Sequence, residues 1–297
     1  MTAGRRVALA ALVIIAGACA GAGLTLALRH GHQTGASGSP ALAARPAPAA
    51  PSPQPVPPAA PPPPTVLDSQ SCKPPPQHPD PVLLVPGTFA ATSWALIGPA
   101  LTQRGYCVFT INYGNAGTSA IAGSARQLGH DIDHILGVTG ARQVAIVGHS
   151  EGGLMPRYYV KQLGGAAKVS DLIGLAPSNH GTTNPIGLVG AVWGCTACGQ
   201  QVTWGSTFLK QLNAGNETPP PVDYTVVQTR YDAVVTPYQS AFLAGPRARV
   251  TNVTVQARCP NDTADHLTLP DDPVALQWIE NALAVNGPAD PSFVPTC

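Results

Sequence analysis

The pentapeptide Gly148-His149-Ser150-Glu151-Gly152 constrains this chain more than any other stretch, because the apolar run Val144 to Val147 precedes it and a helical pattern from Gly153 to Leu163 follows. In a strand-turn-helix corner of this kind the serine sits on a strained turn that only small flanking residues permit. Gly148 and Gly152 let strand and helix approach each other, and the Ser150 hydroxyl is pushed to the tip. A chain with 31 glycines meets G-x-S-x-G by chance, so the pattern alone says little. The strand before it and the helix after it make Ser150 a candidate nucleophile.

Short β-rich runs at Val82 to Val85, Val108 to Ile111, Val144 to Val147, Leu172 to Leu175, Tyr224 to Gln228 and Val250 to Gln256 alternate with helical stretches. The helical stretches lie near Trp94 to Arg104, Ala120 to Leu136, Gly153 to Leu163 and Pro273 to Ala284. This alternation predicts an α/β fold with a mostly parallel sheet and helices on both faces. Several strands are continuous apolar runs, as a sheet covered on both sides requires. Chemistry in such sheets gathers beyond the strand C-termini, and Ser150 follows its strand at once.

With a formal charge of +1 and only 10% charged residues, the chain lacks the clustered basic residues that neutralise phosphates, so nucleic acid is not an expected partner. Arg5 and Arg6 ahead of the apolar stretch Val7 to Leu28 predict an export signal or an N-terminal membrane anchor over 1–35. Cleavage is favoured, since Gly17, Gly21, Gly23 and many alanines weaken the anchor reading. Proline fills twelve of the 25 positions from Pro40 to Pro64. A segment so poor in donors and apolar bulk forms no core, so 36–65 is read as an extended spacer or a tail left by export, and 66–297 as the folded domain. The expected location is secreted or cell-surface, with possible membrane or cell-wall association through the N-terminus, and the expected state is a monomer.

Setting Cys19 aside in the signal leaves six of the seven cysteines, an even number that predicts three disulfides in an exported protein. Fifteen pairings are open to six cysteines. Cys195-Thr196-Ala197-Cys198 reads as a local structural disulfide, because no second C-x-x-C or His pair accompanies it as a zinc site would require.

A serine hydroxyl attacks well only when a histidine takes its proton and a carboxylate holds that histidine. Asp232, four residues past the strand ending at Gln228, and His266, in the polar loop after the last strand, follow Ser150 in the chain order Ser, acid, His. His180 is the serious rival base, since it also follows a strand. His149 adjoins the nucleophile and cannot turn back onto it. His130 and His134 have metal-helix spacing but no third ligand, and read as a solvated helix face. Asp171 and Asp223 sit at strand starts on the wrong edge, while Asp262 and Asp265 are too near His266 in sequence, although Asp265 could assist. A developing oxyanion requires two N–H donors. One is the backbone of Glu151; the other is expected from the loop after the first strand, at Thr88, whose hydroxyl is an extra donor, or at Phe89. No metal or cofactor is expected. The uncharged insert Pro185 to Trp204, with two tryptophans, is open to two readings from its residues, core packing or a cover over a cleft, the second with Gly187, Gly190 and Gly194 as hinges.

The segments LLVPGT, GHSEGGLMPRYYVKQLGG, LAPSNHGTT, YDAVVTP and DHLTLP together resemble secreted bacterial class 2 lipases and esterases of the α/β-hydrolase superfamily, and more distantly the yeast lipase B type. The likeness spans Val66 to Cys297. It implies an α/β-hydrolase fold, a triad of Ser150, Asp232 and His266, an oxyanion hole at Thr88 and Glu151, and an ester or lipid substrate. It also implies the pairings Cys72 with Cys107 and Cys259 with Cys297, and it favours the reading of Pro185 to Trp204 as a cover over an acyl-binding cleft. Glu151 departs from the glutamine or methionine usual at its position, and Cys195 with Cys198 has no clear counterpart in the yeast type. An acyltransferase would share every one of these residues, and an inactive tethered binding module would keep the fold.

Overall fold

The computed structural model describes residues 72–297. The expected signal or anchor at 1–35, the 36–65 spacer and the expected domain start at Val66 lie outside the described residues. Six strands, β1 (Val82–Val85), β2 (Val108–Thr110), β3 (Val144–His149), β4 (Val169–Leu175), β5 (Asp223–Gln228) and β6 (Val250–Thr254), pair in the order β2-β1-β3-β4-β5-β6, every neighbouring pair parallel. The helices of five or more residues among the described residues are α1 (Ile97–Gln103), α2 (Ile121–Thr139), α3 (Glu151–Gln162), α4 (Ile186–Val192), α5 (Thr196–Gln200), α6 (Thr207–Asn213) and α7 (Pro273–Ala284).

Side chains alternate across a strand, and here both faces are apolar. Leu83, Phe109, Ile146 and Tyr224 pack against Leu128 and Ile132 of α2 and Leu154 and Met155 of α3. Val82, Leu84, Val147 and Ile173 pack on the other face against Ile97 and Leu101 of α1 and Trp278 and Ile279 of α7. Each fully buried aliphatic side chain stabilises by about 1.5–3 kcal/mol, so the sheet is held from both sides. Local signals place the helix ends. Gly140, at φ +77°, closes α2 in the left-handed conformation that glycine adopts without a Cβ penalty. Asp272 caps α7 by accepting from the Ala275 N–H at 2.7 Å, with Pro273 at the first helical position.

Three elements differ from expectation. β4 begins at Val169, ahead of the apolar run, because Val144 of β3 pairs with Val169 across a bulge. β6 ends at Thr254, and Val255–Arg258 form a helical turn. There the Gln256 side chain leaves the ladder to accept from the Arg230 N–H and donate to Thr229 Oγ1, bracing the loop after β5. The insert 185–204 holds α4 and α5, and its glycines are not all hinges. Gly187 and Gly190 lie inside α4, where an added Cβ would come within 2.5 Å of Val202 Cγ1 and 3.0 Å of Cys198 Sγ respectively. Close packing of α4 on α5 and on Val202 beyond it favours these glycines; of the three, only Gly194, at φ +94°, has a backbone that glycine eases.

The cysteines pair as Cys72–Cys107, Cys195–Cys198 and Cys259–Cys297. The last ties the C-terminal tail to the turn after β6, where Phe293 meets Trp278 edge to face at 5.1 Å. A cross-link stabilises mainly by restricting the unfolded chain, more for longer loops. Replacing Cys259 and Cys297 by serine, or Cys72 and Cys107, is therefore expected to lower unfolding free energy by about 2–4 kcal/mol, and Cys195 with Cys198 by less. Denaturant unfolding of each double variant measures this; free thiols at the first four positions in non-reducing peptide maps would remove the claim.

Candidate active site

Four loops at the C-terminal ends of the strands meet at one point. Thr88 follows β1, Ser150 follows β3, Asp232 follows β5 and His266 follows β6. Ser150 has φ +54° and ψ −119°, a strained conformation for a non-glycine residue. The glycines around it are required by contact. A Cβ on Gly148 would lie 1.9 Å from the Gly152 carbonyl oxygen, and one on Gly152 would lie 2.1 Å from that of Val85. Strand, turn and helix are thus pressed together and the serine is held at the corner.

The Ser150 Oγ lies 3.1 Å from His266 Nε2, and His266 Nδ1 donates to Asp232 Oδ2 at 2.9 Å. The other carboxylate oxygen of Asp232 accepts from the N–H groups of Val234 and Val235, both at 2.8 Å, which fixes the carboxylate plane. All three side chains are buried, with Ser150 9% exposed. The structure therefore brings together the three residues expected from the sequence.

Glu151 is the first residue of α3 and Thr88 the first of a short 3-10 turn, Thr88–Ala90, so neither backbone N–H has a helical acceptor. The Phe89 side chain is 57% exposed. The Thr88 and Glu151 side chains also meet: Thr88 Oγ1 is 2.6 Å from Glu151 Oε2, and Gln201 Nε2 donates toward both, at 3.1 and 3.2 Å. Burial pushes the Glu151 carboxyl up to about 8, against the lowering by its Thr88 and Gln201 hydrogen bonds.

Two participants were not legible in the sequence. Gln201 stands in an uncharged insert with no motif to mark it. His149, set aside as a base, is the neighbour of the candidate base: its ring centroid is 4.8 Å from that of His266. Burial, then the proximity of His266, lowers its pKa to about 3, so the ring is neutral. Its Nε2–H donates to the His266 carbonyl at 2.8 Å and its Nδ1 accepts from the Thr92 hydroxyl at 2.9 Å. Thr92 Oγ1 in turn accepts the Gly87 N–H at 2.8 Å. One run of hydrogen bonds thereby ties the loop after β1, the serine corner and the His266 loop.

The rejected candidates lie elsewhere. His180 pairs with Glu217 Oε1 at 3.0 Å and with the Ser240 carbonyl at 3.0 Å. Asp171 and Asp223 are neighbours in register on β4 and β5, near the opposite end of the sheet. Asp265 Oδ1 accepts from the Leu267 and Thr268 N–H groups, so it braces the turn that carries His266. His130 is exposed on α2, and among the described residues no group of three or more His, Cys, Asp or Glu is arranged to hold a metal.

The family described as lipase (class 2) matches residues 79–279. Among solved structures, Aspergillus fumigatus lipase B superposes with a TM-score of 0.63 at 25% identity, over 72% of this chain and 55% of that one. Bacillus licheniformis lipase BlEst2 in mature form gives 0.57 at 16% identity, over 74% of this chain and 97% of that one. Legionella pneumophila phospholipase PlaB gives 0.53 at 15%, over 70% and 59%. The two matches of lower identity show the α/β-hydrolase fold alone. This chain spans little more than half the length of the Aspergillus protein.

Proposed function

The chain belongs to the class 2 lipase family, and on that premise we propose that it is an exported serine hydrolase of lipid carboxylic esters, working through an acyl-Ser150 intermediate. The observation that carries this reading is the unbroken contact from Ser150 Oγ through His266 to Asp232 beside the free N–H groups at the starts of the Thr88 turn and α3. His266 Nε2 accepts the serine proton as Ser150 attacks the ester carbonyl, and Asp232 stabilises the ring as it becomes charged. The carbonyl oxygen, now an anion, takes the N–H groups of Thr88 and Glu151. Collapse breaks the bond to the alcohol, which leaves with the proton from His266. Water repeats the sequence in reverse roles, freeing the acid and restoring Ser150.

The lipid part of the proposal rests on the surface around these loops. Phe89, Leu188, Val189, Val192, Trp193 and Leu267 are all exposed, and α4 buries none of its residues. The insert carrying α4 runs from the acid loop, where Thr182 Oγ1 donates to the Val234 carbonyl and Asn184 to that of Ala233, to Gln201 beside Thr88. An apolar strap anchored at both sides of the serine suits a long acyl chain. Leu188→Asp or Trp193→Asp is expected to lower kcat/KM for palmitoyl esters well beyond acetyl esters, since each buried methylene contributes about 0.8 kcal/mol that only a long chain can use. Equal losses on both would mean that the strap supports the fold without touching substrate.

Export is supported by the three disulfides, which persist in oxidising compartments. With it go the proposed signal or anchor at 1–35, the spacer at 36–65, a catalytic domain at 66–297 and a monomeric state. The test is hydrolysis of p-nitrophenyl esters from acetyl to palmitoyl, combined with a serine-directed phosphonate. Turnover rising with acyl length and a label on Ser150 are expected. An enzyme that cleaves none of the series and leaves Ser150 unlabelled would end the proposal.

A further inference from the structure

Glu151 lends its backbone N–H to the proposed chemistry, but its carboxyl group has no part in it. That carboxyl is fully buried beside the place where negative charge develops. Among the described residues its Oε1 has no hydrogen-bond partner, and its Oε2 meets only Thr88 Oγ1 and Gln201 Nε2. The titratable group that bears on it is Tyr113, whose hydroxyl donates instead to the Pro86 carbonyl at 2.8 Å. From the turn Gly114–Gly117 the backbone approaches, an added Cβ on Gly117 lying 3.5 Å from Oε2. Among the described residues, the groups acting on this acid therefore include no cation to compensate an ionised carboxylate.

The Thr88 hydroxyl has one proton and two lone pairs. Beside a carboxylate it must give that proton to Oε2, at 2.6 Å, and has none for a substrate oxyanion. Beside a carboxylic acid it accepts the Oε2 proton and the Gln201 N–H, and its own proton is free to turn toward the site. On the reading that the chain is a serine ester hydrolase, we propose that Glu151 works as a protonated acid, a positioning group whose proton makes the Thr88 hydroxyl a third donor to the oxyanion. Ionisation then withdraws this donor and places a negative charge beside a developing one. The upward shift of Glu151 to about 8 agrees with a neutral acid near neutral pH and loss of that proton in mild alkali.

The experiment is a pH-stat assay of tributyrin hydrolysis from pH 6 to 10 by the full chain and by Glu151→Gln, each compared with itself. The wild-type kcat is expected to fall roughly tenfold per pH unit above a midpoint near the Glu151 value, with KM little changed. Glu151→Gln, which cannot ionise, is expected to lose this fall, whatever its absolute rate. An alkaline fall of the same midpoint in Glu151→Gln overturns the proposal. Gln201→Leu keeps the acid and removes a donor to its carboxylate, so its midpoint is expected to move upward; an unchanged midpoint also overturns the proposal.

A second readout needs no turnover. The folded pKa is raised above the unfolded one, so the contribution of Glu151 to stability is fully present below its ordinary value of 4.5 and is lost as pH rises to about 8. The Tm of wild type relative to Glu151→Gln is expected to fall across that window and level off above it. If tributyrin is not hydrolysed yet the Tm difference follows this course, the hydrolase reading fails and the proton on Glu151 stands. A Tm difference independent of pH removes the proton, and the proposal with it.

Discussion

Ser150→Ala and His266→Ala are each expected to lower kcat by roughly 10⁶-fold while leaving thermal unfolding near that of the wild type. Both act on one proton transfer. Without the hydroxyl no acyl-enzyme forms, and without the imidazole the hydroxyl 3.1 Å away keeps its proton. The double variant is expected to lose no more than either single one, because the two groups act as a unit. His180→Ala is the control, since that ring is engaged by Glu217 and Ser240. Burst and steady-state kinetics on a short ester check the series. An active His266→Ala beside an inactive His180→Ala would show that the wrong histidine was chosen.

Asp232→Asn is expected to lower kcat by about 10⁴-fold, a smaller loss than removing the nucleophile. The reason lies in how the carboxylate is held. Its Oδ1 is committed to the Val234 and Val235 N–H groups, so an asparagine keeps its carbonyl oxygen there and turns its NH₂ toward His266 Nδ1. That nitrogen must then accept rather than donate, and the ring proton moves to Nε2, facing Ser150. A base with its proton on the wrong nitrogen cannot take another. The geometry is otherwise preserved, so circular dichroism and Tm are expected to stay close to wild type. A loss under tenfold would place the orienting carboxylate elsewhere.

Much of this site could be read along the chain because its logic is local and ordered. Ser150 needs small neighbours on both sides of a strand-helix corner, and Gly148 and Gly152 supply them within five residues. Asp232 and His266 were found because each follows its strand, and a parallel sheet carries the ends of such strands to one edge. Asp171 and Asp223 were set aside by that same rule, which does not exclude His180, since that histidine also follows a strand. It failed for elements governed by packing across the fold. The helical turn at Val255–Arg258 continues a β-rich run, and only the demand of the loop at Thr229 and Arg230 for the Gln256 side chain draws it out of the sheet.

The parallel sheet covered on both faces, the serine corner and the chain order of Ser150, Asp232 and His266 are legible in the sequence alone, since each follows from sterics and periodicity over a few residues. The surroundings of these side chains come from the folded chain. Gln201 reaches Thr88 from 113 residues away, and His149 reaches the backbone of His266 from 117. The packing that leaves one oxygen of Glu151 without a partner among the described residues is equally remote from its own pentapeptide. Burial and hydrogen-bond partners set where a proton rests, and those depend on which distant segments close over a residue, which no local pattern records.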